Sequence, residues 1–320
     1  MKKVTEALPG ITIVTLSMIS IAIIVFIFFF VISRALPVIQ ASGPSLLTTG
    51  GFDRQIREAF YALPDDPLLE FGLLGLLSGT LITTGIALLF ATIIGIGAAI
   101  VICEYASRTV SVVLIAIVRL LASVPSVVFG LIGIITVLPF VESVFVTVER
   151  QIEYLDYFQM TGRSLLAAAI VLTFMIVPTV VSLSVDAIRA VPHIYRETGY
   201  AFGMNKFRVI SRVILPSARS GIVAGILLGG SRGIGEAIAV SMVCGGVGFV
   251  PRANLGFINF LAPTLPLASA IVNKSEAMGS HSVEAALFAC GALLLVIGAL
   301  FSLATRFVEN WLRKAAGYND

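Results

Sequence analysis

Charged residues are scarce in this chain, and their scarcity excludes most classes of soluble protein. Of the 320 residues only 12% are Asp, Glu, Lys or Arg, whereas a soluble domain contains about 25%. Apolar residues make up 58% and form long runs without a charge, such as residues 11–33 and 72–103. A bilayer core of about 30 Å requires about 20 apolar residues per helix. The composition therefore excludes a soluble enzyme, a nucleic-acid-binding module and an alternating-pattern β-barrel, and predicts an all-α polytopic membrane protein.

Residues that hold metals, redox centres or nucleotides are also few. The three cysteines are far apart and form no C-x-x-C pair, which argues against a zinc site or a redox couple. His193 and His281 are the only histidines. The nucleotide-binding pattern G-x-x-x-x-G-K-[ST] is absent, so the chain does not bind ATP by that route. We therefore expect no metal, no cofactor and no enzymatic activity of the chain's own.

Hydropathy predicts six membrane spans. They cover residues 11–33, 76–102, 112–138, 165–185, 222–243 and 285–305. Pro125 and Pro178 lie inside two of these spans and are expected to kink them. Residues 255–272 are also apolar, but they contain two prolines and barely reach spanning length, which favours a re-entrant or interfacial segment.

Two of the connecting loops are long. In residues 34–75, four prolines exclude one continuous helix, namely Pro37, Pro44, Pro64 and Pro67. Residues 139–164 have apolar side chains at helical spacing, which predicts a helix with one apolar face. This helix either lies on the membrane surface or packs on the bundle.

The distribution of Lys and Arg predicts the orientation. With the amino terminus in the cytoplasm, 12 of the 21 Lys and Arg residues fall in cytoplasmic segments and seven in the outside loops, which are together much longer. This is the positive-inside bias, and six spans then place both termini in the cytoplasm. We divide the chain into an N-terminal helix with its outside loop (1–70), a core transmembrane domain (71–312) and a cytoplasmic tail (313–320).

The longest cytoplasmic connection, residues 186–219, carries a short helix between two spans. Pro192 ends the fourth span, a helical segment follows over about residues 193–202, and Gly203 is a typical helix stop. Lys and Arg residues flank this helix. From the residues alone two interpretations stay open, a docking element for a cytoplasmic partner and a solvated basic loop.

This loop resembles the EAA loop of ABC-importer permeases, whose pattern is E-A-A, three residues, Gly, nine residues, Ile, one residue and Leu-Pro. The positions that match it are Glu197, Gly203, Val213, Leu215 and Pro216. Thr198 and Gly199 stand where the family usually has alanines, and Val replaces the Ile. The resemblance implies that the helix sits in a cleft of an ATPase subunit. It also implies that these residues, with the adjacent Arg196, couple ATP hydrolysis to the spans.

Further segments resemble the permeases of phosphate importers. They are residues 123–130, residues 231–240 and the Glu104-Tyr105-Ala106 sequence after the second span. The long first outside loop and the R-x-x-G-E-x-x-A-V form are more similar to the C-type than to the A-type permease. Over about residues 71–312, the resemblance implies a type I ABC-importer permease in the inner membrane that conducts inorganic phosphate. It also implies three partners, which are a second permease, a cytoplasmic ATPase dimer and a periplasmic phosphate-binding protein.

Arg232 and Glu236 lie inside the predicted fifth span, where each charge costs about 2.5–3.5 kcal/mol on insertion scales. They are four residues apart, so a continuous helix would place them on one face. One interpretation is an ion pair that only stabilises packing. In the other, Arg232 binds an anion through its planar guanidinium. Glu236 then either holds Arg232 between transits or accepts a hydrogen bond from a protonated phosphate oxygen.

Glycines surround these charges. Gly221, Gly225, Gly229 and Gly233 recur at every fourth residue, which predicts close packing of this helix against a neighbouring span. Gly233 and Gly235 also weaken the helix beside the charges. A local break there would resemble the discontinuous helices of transporters.

Two other classes of function are disfavoured by these residues. Residues 229–233 satisfy G-x-S-x-G, but they lie in an apolar helical span with no histidine nearby, so a hydrolase is disfavoured. A secondary anion transporter would predict internal repeats or several carboxylates within the spans, and neither is present. An ABC-importer permease for another oxyanion remains the nearest alternative. Arg119, near the cytoplasmic end of the third span, is expected to reach the interface with its side chain.

Overall fold

The structure is a computed structural model that describes residues 2–62 and 67–315. Pro64 and residues 316–320 of the predicted tail lie outside these ranges. In the described part the chain is helical and forms no strand, apart from one isolated bridge between Gly245 and Thr264. Six helices are long and apolar enough to cross a membrane: Thr12–Ser42, Leu74–Tyr105, Ser126–Phe145, Leu165–Arg189, Lys206–Ile234 and His281–Val308. The predicted all-α fold with six spans is confirmed.

The helices are numbered in chain order. The first eight are α1 (Lys2–Ser42), α2 (Ser45–Thr48), α3 (Phe52–Tyr61), α4 (Leu74–Ile100), α5 (Arg108–Ala122), α6 (Ser126–Ile132), α7 (Leu138–Phe145) and α8 (Val148–Glu153). The rest are α9 (Leu165–Arg189), α10 (His193–Ala201), α11 (Lys206–Val209), α12 (Leu215–Ile234), α13 (Ile238–Val243), α14 (Leu267–Lys274) and α15 (His281–Ala315). Three π-helical turns lie at Val101–Tyr105, Gly133–Val137 and Ile210–Ile214. We call the end of the bundle that carries α10 the loop end and the opposite end the far end.

The first span is longer than predicted. Helix α1 continues past residue 33 and through Pro37 to Ser42. Its last turns pack on α15, where the Phe30 and Phe288 rings meet edge to face at 5.7 Å and Arg34 pairs with Glu284 at 3.5 Å. These contacts hold the helix together although Pro37 cannot donate a backbone hydrogen bond. Beyond it the chain turns into the short helices α2 and α3, as the prolines of this loop predict.

The prediction of one continuous third span over residues 112–138 is wrong. Helix α5 ends at Ala122, and the spanning helix begins at Ser126, directly after Pro125. Proline has no N–H for the helical ladder and disfavours helical geometry at the residue before it. The kink expected at Pro125 is therefore a full break, whereas α9 continues through Pro178.

The predicted fifth span, residues 222–243, is also not one helix. The spanning helix starts earlier, at Lys206, and ends at Ile234. Residues 235–237 are not helical, and α13 follows them. A π turn ends two residues before Pro216, and another ends two residues before Pro139. Proline has no N–H for the helical hydrogen-bond ladder, and in both helices the π turn shifts the ladder just ahead of the proline.

The segments that sequence analysis set apart from the spans are short and irregular. Residues 255–272 contain part of a 3-10 helix, Ala253–Leu261, followed by the start of α14, and the described residues include no span there. Residues 139–164 do not form the one predicted helix, because α7 belongs to the span that ends at Phe145 and α8 is a separate short helix. Because Val148 and Ile152 are 70–71% exposed, α8 does not bury these apolar side chains on the bundle.

The glycine repeat of α12 packs against α9, as predicted. A Cβ atom at Gly225 would lie 2.9 Å from the Leu183 Cβ, and one at Gly229 would lie 2.8 Å from Ile176 Cγ2. Real Cβ atoms essentially never approach other atoms so closely. The absence of side chains thus lets the two backbones approach, which fixes where the end of α12 lies against α9.

Gly225→Ala is expected to destabilise the bundle because the added methyl group overlaps Leu183. Overpacking of this kind costs about 1–3 kcal/mol, so the midpoint of thermal unfolding in detergent should fall by about 2–4 °C. Gly97→Ala is the matched control, since a Cβ there meets nothing within 4 Å. Alanine favours helix over glycine, so this control should not lower the midpoint. Equal midpoints for the two variants would contradict the packing described.

Candidate functional site

Arg232 and Glu236 lie on either side of the end of α12. Because α12 ends at Ile234, the expectation that the two residues share one helical face is wrong. Glu236 instead belongs to the break, where its Oε1 accepts a hydrogen bond from the Ala239 N–H at 2.9 Å. It therefore satisfies a free N–H in the first turn of α13. The ion pairs of the described residues do not include Arg232 with Glu236, so this structure does not support the self-neutralising pair.

Arg232 is half-buried and points towards α9. Its Nη1 donates to the Thr179 hydroxyl oxygen at 3.4 Å, which is long for a hydrogen bond. A guanidinium has five N–H groups in a planar fork, and this one contact engages one of them. Arg232 therefore retains donors for an anion.

Helix α4 forms another side of the site. A Cβ at Gly233, the residue after Arg232, would lie 3.1 Å from Thr84 Cγ2, and a Cβ at Gly230 would lie 3.1 Å from Leu88 Cδ2. One turn earlier, the Thr80 hydroxyl oxygen accepts the Leu267 N–H at 2.9 Å and so holds α14 in place. Thr84 is thus the threonine of α4 that packs against Gly233, the residue after Arg232.

The break between α5 and α6, at residues 123–125, lies at a depth in the bundle similar to that of the break between α12 and α13. Helices α6 and α13 begin after the breaks and pack side by side, since a Cβ at Gly130 would lie 3.1 Å from the Ala239 Cα. Around the break between α12 and α13, Ser231 and Gly235 are exposed, and Ile238 is 44% exposed. The face of α12 and α13 beside Arg232 is therefore uncovered in the single chain.

At the loop end, Gly203 ends α10 in a Schellman motif. Its φ is +71°, a left-handed conformation that glycine adopts without steric cost. The Gly203 N–H donates to the Tyr200 carbonyl at 2.9 Å, and the Met204 N–H donates to the Gly199 carbonyl at 3.1 Å. These are the two hydrogen bonds of that motif. Gly203 is therefore the residue that stops the helix and turns the chain towards α11.

The surface around α10 is apolar, although the loop is basic in sequence. Glu197 is exposed beside a row of uncovered side chains: Ile194, Tyr195, Tyr200, Phe202 and Phe207, which are 47–79% exposed. A groove of about 310 Å³ lies between α10, Met204 and Val213. Uncovered aromatic surface of this kind marks interaction sites. It favours a docking element over a solvated basic loop.

Arg196, placed by sequence with the coupling residues, faces the bundle instead of this surface. Its Nη2 donates to Glu104 Oε1 at 2.9 Å, and it also donates to the carbonyls of Val191 at 2.9 Å and Ile188 at 3.2 Å. Arg196 and Glu104 are only 16% and 9% exposed. Leu215 is half-buried and Pro216 is exposed, immediately after the third π turn. The loop therefore has an outer apolar surface and an inner contact with the spans.

Sequence reasoning did not assign a role to Thr179 or to Glu104. Thr179 gave no signal, because a single threonine in an apolar helix is ordinary. Glu104 directly follows a long apolar run, but its partner lies 92 residues further along the chain. Only the fold brings Glu104 and its partner Arg196 together.

Comparison with known proteins agrees with the fold. The family described as "Binding-protein-dependent transport system inner membrane component" matches residues 91–314. This chain belongs to that family. It is accordingly a multi-pass protein of the inner membrane and a transport component of the ABC-importer permease type.

The relatives of the chain are more particular. It is 31% identical over 293 residues, 90% of this chain and 86% of the relative, to "Phosphate transport system permease protein PstC 2" of Mycobacterium tuberculosis. It is 31% identical to PstC of Mesorhizobium japonicum, covering 82% of this chain and 79% of the relative. It is also 32% identical to "Probable ABC transporter permease protein YqgH" of Bacillus subtilis, covering 77% and 74%. The resemblance to C-type phosphate permeases, stated from the sequence motifs, is confirmed.

A solved structure supports the architecture. The MetNI methionine ABC transporter has a chain that covers 73% of this protein and 93% of itself, with a TM-score of 0.53 and 18% identity. At that identity the likeness concerns the fold alone. It confirms the predicted ABC-importer permease architecture.

Proposed function

We propose that this chain is a permease subunit of an ATP-driven phosphate importer and forms half of the pathway for inorganic phosphate. The observation that carries the proposal is a half-buried arginine at a helix break, with one long hydrogen bond to a protein group. The names of the relatives supply the anion. A guanidinium presents paired N–H donors that match two oxygens of a phosphate.

Glu236 is proposed to select the protonation state of the anion. One of its carboxylate oxygens caps α13, and the other is proposed to accept a hydrogen bond from a protonated phosphate oxygen. Fully ionised sulfate has no such proton and would be repelled by the carboxylate. Uptake should therefore favour phosphate over sulfate, and equal transport of the two anions would contradict this role.

The partners follow from what the chain leaves uncovered. The exposed face around Ser231, Gly235 and Ile238 is proposed to be closed by a second permease. The apolar surface around α10 is proposed to dock on a cytoplasmic ATPase dimer, which supplies the hydrolysis that this chain has no nucleotide site to perform. A periplasmic binding protein is proposed to deliver phosphate at the far end. This arrangement puts both termini and α10 in the cytoplasm.

Purification through a tag on this chain in mild detergent tests the assembly. Mass spectrometry of the copurified proteins is expected to find an ATPase, a second permease and a solute receptor. The purified assembly in proteoliposomes should take up radiolabelled phosphate when the ATPase has ATP. Uptake that follows an imposed proton gradient and ignores ATP would instead indicate a secondary transporter. Absence of both the ATPase and the receptor would count against the importer class.

A further inference from the structure

The π turn Val101–Tyr105, which continues α4 at the loop end, contacts the loop on both sides of Gly203. Glu104 accepts hydrogen bonds from Arg196 of α10, at 2.9 Å from Nη2 and 3.3 Å from Nε. The next residue, Tyr105, has the Lys206 Nζ atom of α11 at 4.3 Å from the centre of its ring. Two adjacent residues of one span thus hold the segments before and after the turn. We call Glu104 and Tyr105 with their two partners the α4 clamp.

The two contacts of the α4 clamp differ in character. The Glu104–Arg196 pair is largely shielded from solvent, and a charge-assisted hydrogen bond at 2.9 Å defines a geometry as well as an attraction. Arg196 also binds carbonyls at the end of α9, so its guanidinium joins α4, α9 and α10. Tyr105 is 57% exposed, so its contact with Lys206 can be changed without disturbing the core.

Chain connectivity gives α4 no direct backbone link to the loop. The backbone links α10 directly to α9 and, through α11, to α12. Helix α4 has no such link, and the α4 clamp joins it to the loop. From Glu104, this π turn and α4 form one continuous helix back to Thr84, whose Cγ2 atom packs against Gly233, the residue after Arg232. These 20 residues span about 30 Å at the helical rise.

We propose that Glu104 and Tyr105 are positioning residues that carry the movement of α10 into α4 and along it to the Arg232 site. The inference rests on the proposed function, because it assigns a route to the coupling between ATPase and pathway. The loop is joined through the backbone to two spans, α9 and α12, and this route adds α4 as the third. Loss of the α4 clamp then leaves ATP hydrolysis in place and removes its effect on the anion site.

The test measures phosphate transported per ATP hydrolysed by the assembled importer in proteoliposomes. Glu104→Gln removes the charge and keeps the shape, so phosphate uptake should fall at least tenfold while ATP hydrolysis stays within twofold. Glu104→Asp retains a carboxylate and should keep the ratio within threefold of the unaltered importer. Glu58→Gln is the matched control, since it removes the carboxylate of an exposed ion pair with Arg54 on α3. Its ratio should not change.

A second pair of variants keeps the test decisive if Glu104→Gln does not assemble. Tyr105→Phe keeps the ring that faces Lys206 and should leave the ratio unchanged, whereas Tyr105→Leu removes it and should lower the ratio two- to threefold. An unchanged ratio in Glu104→Gln overturns the inference, as does failed assembly of Glu104→Gln together with equal ratios in the two Tyr105 variants. An unaltered importer that takes up no phosphate with ATP overturns the proposed function itself, and the inference with it.

Discussion

Arg232→Ala is expected to reduce phosphate uptake at least a hundredfold while the importer still assembles. The variant removes the positive charge at the helix break, and a hundredfold loss corresponds to about 2.7 kcal/mol of lost interaction with the anion. Because Arg232 makes one long hydrogen bond to Thr179 and no ion pair among the described residues, its removal should not dismantle the packing. The measurement is the initial uptake rate in proteoliposomes, with copurification of the ATPase as the assembly check.

Two further variants sharpen this prediction. Arg232→Lys keeps the charge but loses the planar fork of N–H donors. Its phosphate uptake should therefore lie between that of Arg232→Ala and that of the unaltered importer. Arg119→Ala is the matched control, because Arg119 pairs with Asp186 at 3.3 Å on the exposed surface of the loop end. Exposed pairs of this kind contribute about 0–1 kcal/mol, so its uptake should be nearly unchanged. If Arg232→Ala transported phosphate within twofold of the unaltered protein, the site assignment would be wrong.

Gly203→Val is expected to separate the ATPase from the spans. The φ of +71° at this position suits glycine and costs other residues about 1–2 kcal/mol, with β-branched residues the worst placed. The end of α10 should unwind, and the Schellman hydrogen bonds that direct the chain to α11 should be lost. Copurified ATPase and ATP-dependent uptake should both fall at least tenfold. Gly203→Asn should retain more of each, since asparagine tolerates this conformation.

The control for this prediction uses a glycine with the same kind of backbone at the other end of the molecule. Gly51, just before α3, has a φ of +98° and a ψ of +14°, which is also a left-handed conformation, and a Cβ there meets nothing within 4 Å. Gly51→Val therefore introduces strain of the same kind far from α10, and the amount of copurified ATPase should not change. Loss of the ATPase from both variants would mean that general unfolding, and not the end of α10, is responsible.

The number of spans could be predicted from the sequence because each apolar run needs a bilayer around it. The continuity of the spans could not, since hydropathy reports burial and not the hydrogen-bond ladder. Pro125 indicated a kink where the structure has a break, and Gly235 indicated a weak helix where α12 ends. The error mattered for function, because the predicted ion pair of Arg232 and Glu236 assumed an unbroken helix.

The site was predictable in its charges but not in its neighbours. Arg232 and Glu236 are visible as charges inside apolar runs, and the loop pattern around Glu197 and Gly203 is visible from its spacing. The direction of Arg196 towards the spans depends on a partner 92 residues away. The hydroxyl of Thr179 becomes relevant only when α9 and α12 approach each other through glycines.

The two breaks at similar depth have a mechanical consequence. A helix resists bending because its hydrogen bonds run from turn to turn without interruption, and α5 with α6, and α12 with α13, lose that stiffness at residues 123–125 and 235–237. Of the helices packed against the end of α12, α4, α9 and α15 continue without such a break. Helices α6 and α13 are thus decoupled from tilting of α5 and α12, which can lean while α6 and α13 keep their contact with each other.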